Sequence, residues 1–92
     1  MIKIVGGALF KNGKLLVVKR TADRILWPGM WEIPGGGVES NETNEQALQR
    51  EFLEETKIKV KVITPYYHFR YKHGHELSEE TDFIVKANKF EA

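Results

Sequence analysis

The chain has 92 residues, 41% of them hydrophobic and 29% charged, which suits one compact domain with a modest sheet and a helix or two. Fourteen Lys and Arg stand against thirteen Asp and Glu, and the resulting net charge of +1 supplies no general attraction for a nucleic acid polymer or a membrane surface. The lack of cysteine excludes disulfides and thiolate metal sites, and no apolar run approaches the roughly 20 residues of a membrane span.

The opening MIKIVGGALF has a strand-like pattern without the basic region, long apolar run and cleavage site of a signal peptide, so a cytoplasmic protein is expected. Ile2 to Phe10 and Lys14 to Arg20 are short and rich in Val, Leu and Ile, and the KNG between them predicts an antiparallel hairpin with a tight Asn-Gly turn. Residues 21 to 42 contain two of the three prolines and four of the eight glycines, which predicts a long loop with a brief strand at Trp31, Glu32 and Ile33. From Thr43 to about Lys57 there is neither Pro nor Gly, and the opening TNEQ is a capping-box pattern, so a helix is expected there. Beyond it, IKVKVITPYYHFRYKH turns at HGHE and returns through ETDFIVKANKF as a second, longer hairpin. No repeat, low-complexity tract or linker divides residues 1–92, so a single domain is expected.

The helix carries the chemistry. Within QREFLEET, Glu51, Glu54 and Glu55 lie beside Arg50, and at roughly 100° per residue the three carboxylates share one arc about 100° wide. Leu48 and Phe52 border that arc, so part of it adjoins the face expected to pack on the sheet. Like charges at this spacing cost only a few tenths of a kcal/mol on an exposed helix, so a solvated acidic face is one reading. The other is a site for a hard divalent cation such as Mg2+ or Mn2+, which takes several oxygen ligands. The preceding PGGGVESNE favours it, because glycines let backbone carbonyls come close. That loop is not a Walker loop, since no Gly-Lys-Ser/Thr follows.

Loop and helix together resemble the Nudix hydrolase family, whose signature is Gly, five residues, Glu, seven residues, then Arg-Glu-apolar-x-Glu-Glu-x-Gly-apolar. Gly36, Glu42, Arg50, Glu51, Phe52, Glu54, Glu55 and Ile58 fall on it in register, and only the second glycine departs, being Lys57 here. That departure bears on the helix C-terminus, where glycine takes positive φ cheaply, rather than on the metal site. The resemblance implies an α+β fold: a mixed β-sheet with the signature loop and helix packed on it, short at the C-terminus relative to the family's α/β/α sandwich. It also implies that Glu51, Glu54 and Glu55 hold Mg2+, with Mn2+ as an alternative, joined by the carbonyl of Gly36. Arg50, Glu51 and Glu54 are the implied catalytic set, with Arg50 orienting a carboxylate, while Glu42 supports the loop and helix start. The implied activity is hydrolysis of a nucleoside diphosphate linked to another group.

The stretch VVKRTADRILWPGMWEIPGGGVE is similar to the MutT-type branch, which cleaves nucleoside triphosphates to monophosphate and pyrophosphate. Arg20 sits where that branch places a phosphate-contacting arginine, with Lys19 beside it; simple solvation of a strand end is the alternative for both. Among Trp27, Trp31, Tyr66, Tyr67 and Phe69, most are assigned to the core and Trp27 to a base-facing lid. His73 and His75 are expected at an exposed turn, and Glu79-Glu80 at a solvated strand start, with a distant carboxylate for the metal as the alternative. The Asn41-Glu42-Thr43 sequon has no access to glycosylation without a signal peptide. A small-molecule nucleotide is the expected partner. Because the family usually continues past the second hairpin, the chain reads as a minimal form, a truncated product, or a homodimer that borrows its cover from a second copy. Hydrolysis of ADP-ribose or another nucleotide conjugate, and a non-catalytic nucleotide-binding module, are the competing functions.

Overall fold

The structure is a computed structural model that describes residues 1–19 and 29–87, apart from the side chain of His73. Its elements are β1 (Ile2–Lys11), β2 (Lys14–Leu15), β3 (Val18–Lys19), β4 (Trp31–Glu32), β5 (Gly35–Gly37), α1 (Asn44–Thr56), β6 (Val60–His73) and β7 (Glu76–Ala87). Five strands form one mixed sheet in the order β2-β1-β7-β6, with β5 also paired to β1. β1 runs parallel to β7 and antiparallel to β2 and β5. The expected α+β class holds, with one helix on a mixed sheet.

Both predicted hairpins form. Asn12 and Gly13 take φ of 53° and 76°, which gives the turn that suits a two-residue connection, and Phe10 pairs with Leu15. The second hairpin closes at Gly74-His75 with His73 opposite Glu76, and β6 carries two register shifts, between Val62 and Thr64 and between Pro65 and Tyr67.

The strand expected from Lys14 to Arg20 is broken. β2 pairs with β1, Leu16 turns inward against the core, and Val18–Lys19 crosses to pair with Trp31–Glu32 in a separate two-stranded ribbon. Arg20 lies outside the described residues. The glycine run expected as loop supplies a strand instead: Gly35, Gly36 and Gly37 pair with Gly6, Val5 and Ile4. A side chain on Gly35 would overlap the Val5 carbonyl oxygen, so this close lamination of β5 on β1 requires glycine.

The helix begins as its sequence dictates. Thr43 Oγ1 accepts from the Gln46 N–H at 3.1 Å and Gln46 Oε1 accepts from the Thr43 N–H at 2.9 Å, which satisfies two of the helix's orphan donors. It ends at Lys57, which takes the left-handed conformation with φ 65° at the position where the signature has glycine. Ala47, Leu48 and Phe52 pack against Val5, Leu9, Val60, Phe83 and Val85, so one face of the sheet holds the core. Burial of Leu48 and of Phe52 contributes about 1.5–3 kcal/mol each.

Strand alternation sends Ile4, Gly6 and Ala8 of β1 and Ser78, Glu80, Asp82 and Ile84 of β7 to the other face. Tyr67, Phe69 and Tyr71 of β6 join them, with successive ring centroids 5.2 and 5.6 Å apart. Among the described residues no helix covers that face. This is why Tyr66 and Tyr67 are exposed rather than in the core where the sequence assigned them, and Trp31, 65% exposed on the β3–β4 ribbon, departs from that assignment too.

Candidate active site

Arg50 organises the site. Its Nε donates to Glu42 Oε2 at 2.7 Å and its Nη2 to Glu42 Oε1 at 2.9 Å, a bidentate pair that spans loop and helix. Nη1 donates to Glu51 Oε1 at 2.8 Å and lies 3.6 Å from Glu54 Oε2, while Nη2 also reaches the Gly37 carbonyl at 3.0 Å. One guanidinium thus ties three signature glutamates and β5 together. The Glu42 carboxylate also accepts from the Glu39 N–H at 3.0 Å. The Arg50 hydrogen bond first, then that backbone N–H, holds Glu42 down at about 2, from an ordinary value of 4.5. The Arg50 guanidinium is raised in turn, chiefly by its hydrogen bond to Glu42 and then by Glu51. Glu42 therefore braces Arg50 from the loop that precedes the helix.

Gly36 faces the helix. A Cβ there would lie 2.5 to 2.7 Å from the Glu51 carboxylate atoms, so only glycine lets that carboxylate lie against the β5 backbone. Its neighbour Gly35 donates its N–H to Glu55 Oε1 at 2.8 Å. The site therefore has two rims, Glu51 and Glu55 against the glycine strand and Glu54 outward, its side chain 60% exposed.

A metal ion's fit can be judged on these donors. Glu51, Glu54, Glu55 and the Gly36 carbonyl are all oxygen donors, which suits a hard divalent cation and not a soft one. The cradle that a Cβ at Gly36 would fill lies against one of them. Among the described residues, however, no three carboxylates or histidines already converge as a ligand set. Glu51 is turned to Arg50 and Glu55 to the Gly35 N–H, so both would swing from these partners to share an ion. The residues fit a divalent cation by the chemistry of their donors, and holding one would require these side chains to rotate.

The other expected residues are more scattered. Lys19 sits on the β3–β4 ribbon with its ammonium 5.9 Å from the centroid of the Trp31 ring, a cation–π contact. Arg20 and Trp27 lie outside the described residues. Glu79 is held within the second hairpin, accepting from Arg70 Nε at 3.0 Å and lying 3.2 Å from His68 Nε2, and Arg70 first and His68 second hold its carboxyl below the usual carboxylate pKa. Sequence reasoning missed Gly35, whose N–H donates to Glu55, and Gly37, whose carbonyl accepts from Arg50; their signal was the glycine run itself.

Three comparisons with known proteins bear on the family and the fold. The family model described as NUDIX domain matches residues 3–90. The nucleoside triphosphatase NudI of Enterobacter sp. (strain 638) is 38% identical over 65 residues, covering 68% of this chain and 46% of that protein. The chain thus spans about half the length of the curated relatives it matches. In the solution NMR structure of the DNA mismatch repair protein MutT from methicillin-resistant Staphylococcus aureus 252, 97% of this chain aligns with 68% of that one at TM-score 0.76 and 34% identity. The solution structure of the E. coli ORF135 protein aligns with 99% of this chain and 63% of its own at TM-score 0.80 and 27% identity.

Proposed function

The chain belongs to the Nudix family, and from that premise we propose that it hydrolyses a nucleoside triphosphate to the monophosphate and pyrophosphate. The observation that carries this reading is the Arg50 clamp, which draws Glu42, Glu51 and Glu54 to the glycine strand where Gly36 opens onto the Glu51 carboxylate. Its likeness to the NudI and MutT proteins supports the triphosphate over a nucleotide conjugate.

Glu51, Glu54, Glu55 and the Gly36 carbonyl would hold Mg2+, or Mn2+ in its place. That ion supplies a Lewis acid for phosphate oxygens and lowers the pKa of bound water. Arg50 acts through the carboxylates, since its N–H groups fix Glu51 and steady Glu54. Glu42 fixes Arg50 in turn, and both are positioning residues. Lys19 and Arg20, with Trp27 over the base, complete the proposed substrate contacts.

Two further readings go with it. Ile2, Tyr66 and Tyr67 are exposed on the sheet face that α1 does not cover, which supports a homodimer closed over that face. Pro65 and two register shifts on β6 disfavour pairing through its free edge. Among the described residues no helix is long and apolar enough to cross a membrane, and a cytoplasmic location is proposed from composition. The test of the activity is a nucleoside triphosphate panel with and without Mg2+, assayed for pyrophosphate. Metal-dependent release of pyrophosphate from at least one triphosphate is expected, and release from none removes the reading.

A further inference from the structure

A cavity of about 380 Å³ opens between the first hairpin and the end of α1. Leu9, Leu16 and Ile58 form its floor, where Leu9 is buried and the other two pack on the core. The exposed Leu15, Lys11, Asn12 and Lys14 line its mouth, so the lining is aliphatic apart from the two lysines and Asn12. Its volume falls in the range of small-molecule pockets, which runs from roughly 300 to 1,000 Å³. The charge around it is one-sided. Lys11 stands directly opposite Lys14 in β1–β2, Lys61 directly opposite Lys86 in β6–β7, and Lys57 and Lys59 flank Ile58 in the chain. The two strand pairs meet at the same end of the sheet, because Leu9 lies beside Val85 in register, two residues from Lys11 and one from Lys86. Like charges facing across strands oppose the pairing, and an anion held among them offsets that repulsion.

We propose that this cavity takes the alkyl chain of a free single-chain amphiphile whose anionic head, a carboxylate or a phosphate, rests on Lys11 and Lys14. The length of the chain follows from the volume. A cavity of ~150 Å³ holds benzene, so about 380 Å³ admits a chain of roughly ten carbons. The aliphatic lining gives a nucleobase no aromatic face to stack on, which sets this site apart from the nucleotide reading. A second copy of the chain docked here symmetrically would bring the same lysines together. A cationic head meets the same repulsion, whereas an anionic head is attracted while its chain leaves water. The site uses none of Glu42, Arg50, Glu51, Glu54 and Glu55, so it stands or falls apart from the proposed hydrolysis.

The test is calorimetric titration with decanoate, butyrate and decyltrimethylammonium, each below its micelle-forming concentration, at low salt. Decanoate is expected to bind about a hundredfold or more tightly than butyrate, which lacks the chain, and about tenfold or more tightly than the cationic amphiphile. Methyl NMR locates the site: resonances of Leu9, Leu16 and Ile58 should shift, and that of Ile2, on the sheet face away from α1, should not. Lys14→Glu, on the exposed hairpin, should lower decanoate affinity by about tenfold and raise the unfolding temperature, since it sets opposite charges across β1–β2. Four results overturn the inference: no binding of decanoate, equal affinity for the two heads, shifts confined to Ile2, or a Lys14→Glu variant that binds as the wild type does. Vesicles rich in phosphatidylglycerol form the last arm. Protein that sediments with them yet ignores monomeric decanoate serves a membrane surface instead, and the cavity proposal falls.

Discussion

Arg50 grips Glu42 with two parallel hydrogen bonds, Nε to Oε2 at 2.7 Å and Nη2 to Oε1 at 2.9 Å. The fork of a guanidinium makes both bonds at once, whereas an ammonium is a point donor. Arg50→Ala is therefore expected to lower kcat and weaken metal binding by about 10- to 100-fold, with a smaller rise in the Michaelis constant. Arg50→Lys should rescue little. If the loss appeared only in the Michaelis constant, Arg50 would be a phosphate contact instead.

Acid should loosen this clamp before it unfolds much else. The Glu42 carboxyl stands at about 2 in the fold against an ordinary 4.5. A depressed folded value means that its contribution to stability is complete above about 4.5 and is lost as pH falls through that value toward 2. Glu79, also lowered, acts in the same direction. Urea unfolding at pH 7, 4 and 3 should show a midpoint that drops with acid, and a shallower drop in Glu42→Gln. Parallel curves for the two proteins would remove the clamp from the account.

Gly36 and Glu55 test the site from its two rims. A methyl at Gly36 enters the space of the Glu51 carboxylate, so Gly36→Ala should cut turnover by about tenfold or more and lower stability by about 1–3 kcal/mol. Glu55→Gln keeps an oxygen for the Gly35 N–H, removes one negative charge and relieves repulsion with Glu51. It should abolish activity with the fold intact and apo stability slightly raised. Unchanged turnover in Glu55→Gln would end its assignment as a ligand.

Lys57 offers a stability test remote from the carboxylates. Its left-handed φ of 65° strains a side-chain-bearing residue by about 1–2 kcal/mol, while its N–H still closes the last turn onto Leu53 O at 2.9 Å. Lys57→Gly should keep that bond and raise stability by about 1 kcal/mol after the glycine's extra unfolded-state entropy. Thermal unfolding monitored by circular dichroism measures it, and a destabilised variant would mean that the lysine's Nζ contact with Glu54 O, at 3.4 Å, outweighs the strain.

Sedimentation at micromolar concentration is expected to show a dimer closed over the exposed Ile2, Tyr66 and Tyr67. A monomer with a sharp unfolding transition at all concentrations would retire the dimer.

Local chemistry was legible in the sequence where one residue type does one job. TNEQ announced its capping box, Asn12-Gly13 its turn, and the spacing from Gly36 to Ile58 the acidic helix. What escaped was decided by partners distant in the chain. The run Gly35 to Gly37 has no side chains to show periodicity, and it is a strand only because β1 accepts it. Lys14 to Arg20 reads as one apolar strand because composition cannot show that Val18–Lys19 changes partner. The aromatic residues of β6 looked like core for the same reason: hydrophobicity says that a face is apolar, not that anything lies over it.

The parallel pairing of β1 with β7 has a consequence for how the chain comes to fold. Every residue from Ile2 to Leu9 meets a partner 76 positions later, from Ser78 to Val85. That contact closes a loop of 76 positions, and its entropy must be met before the pairing contributes anything. Hairpins and the capped helix can form early and locally, but β1 waits for β7. During synthesis the core cannot assemble until β7 has left the ribosome, and until then Val5 and Leu9 are a sticky edge in search of a partner.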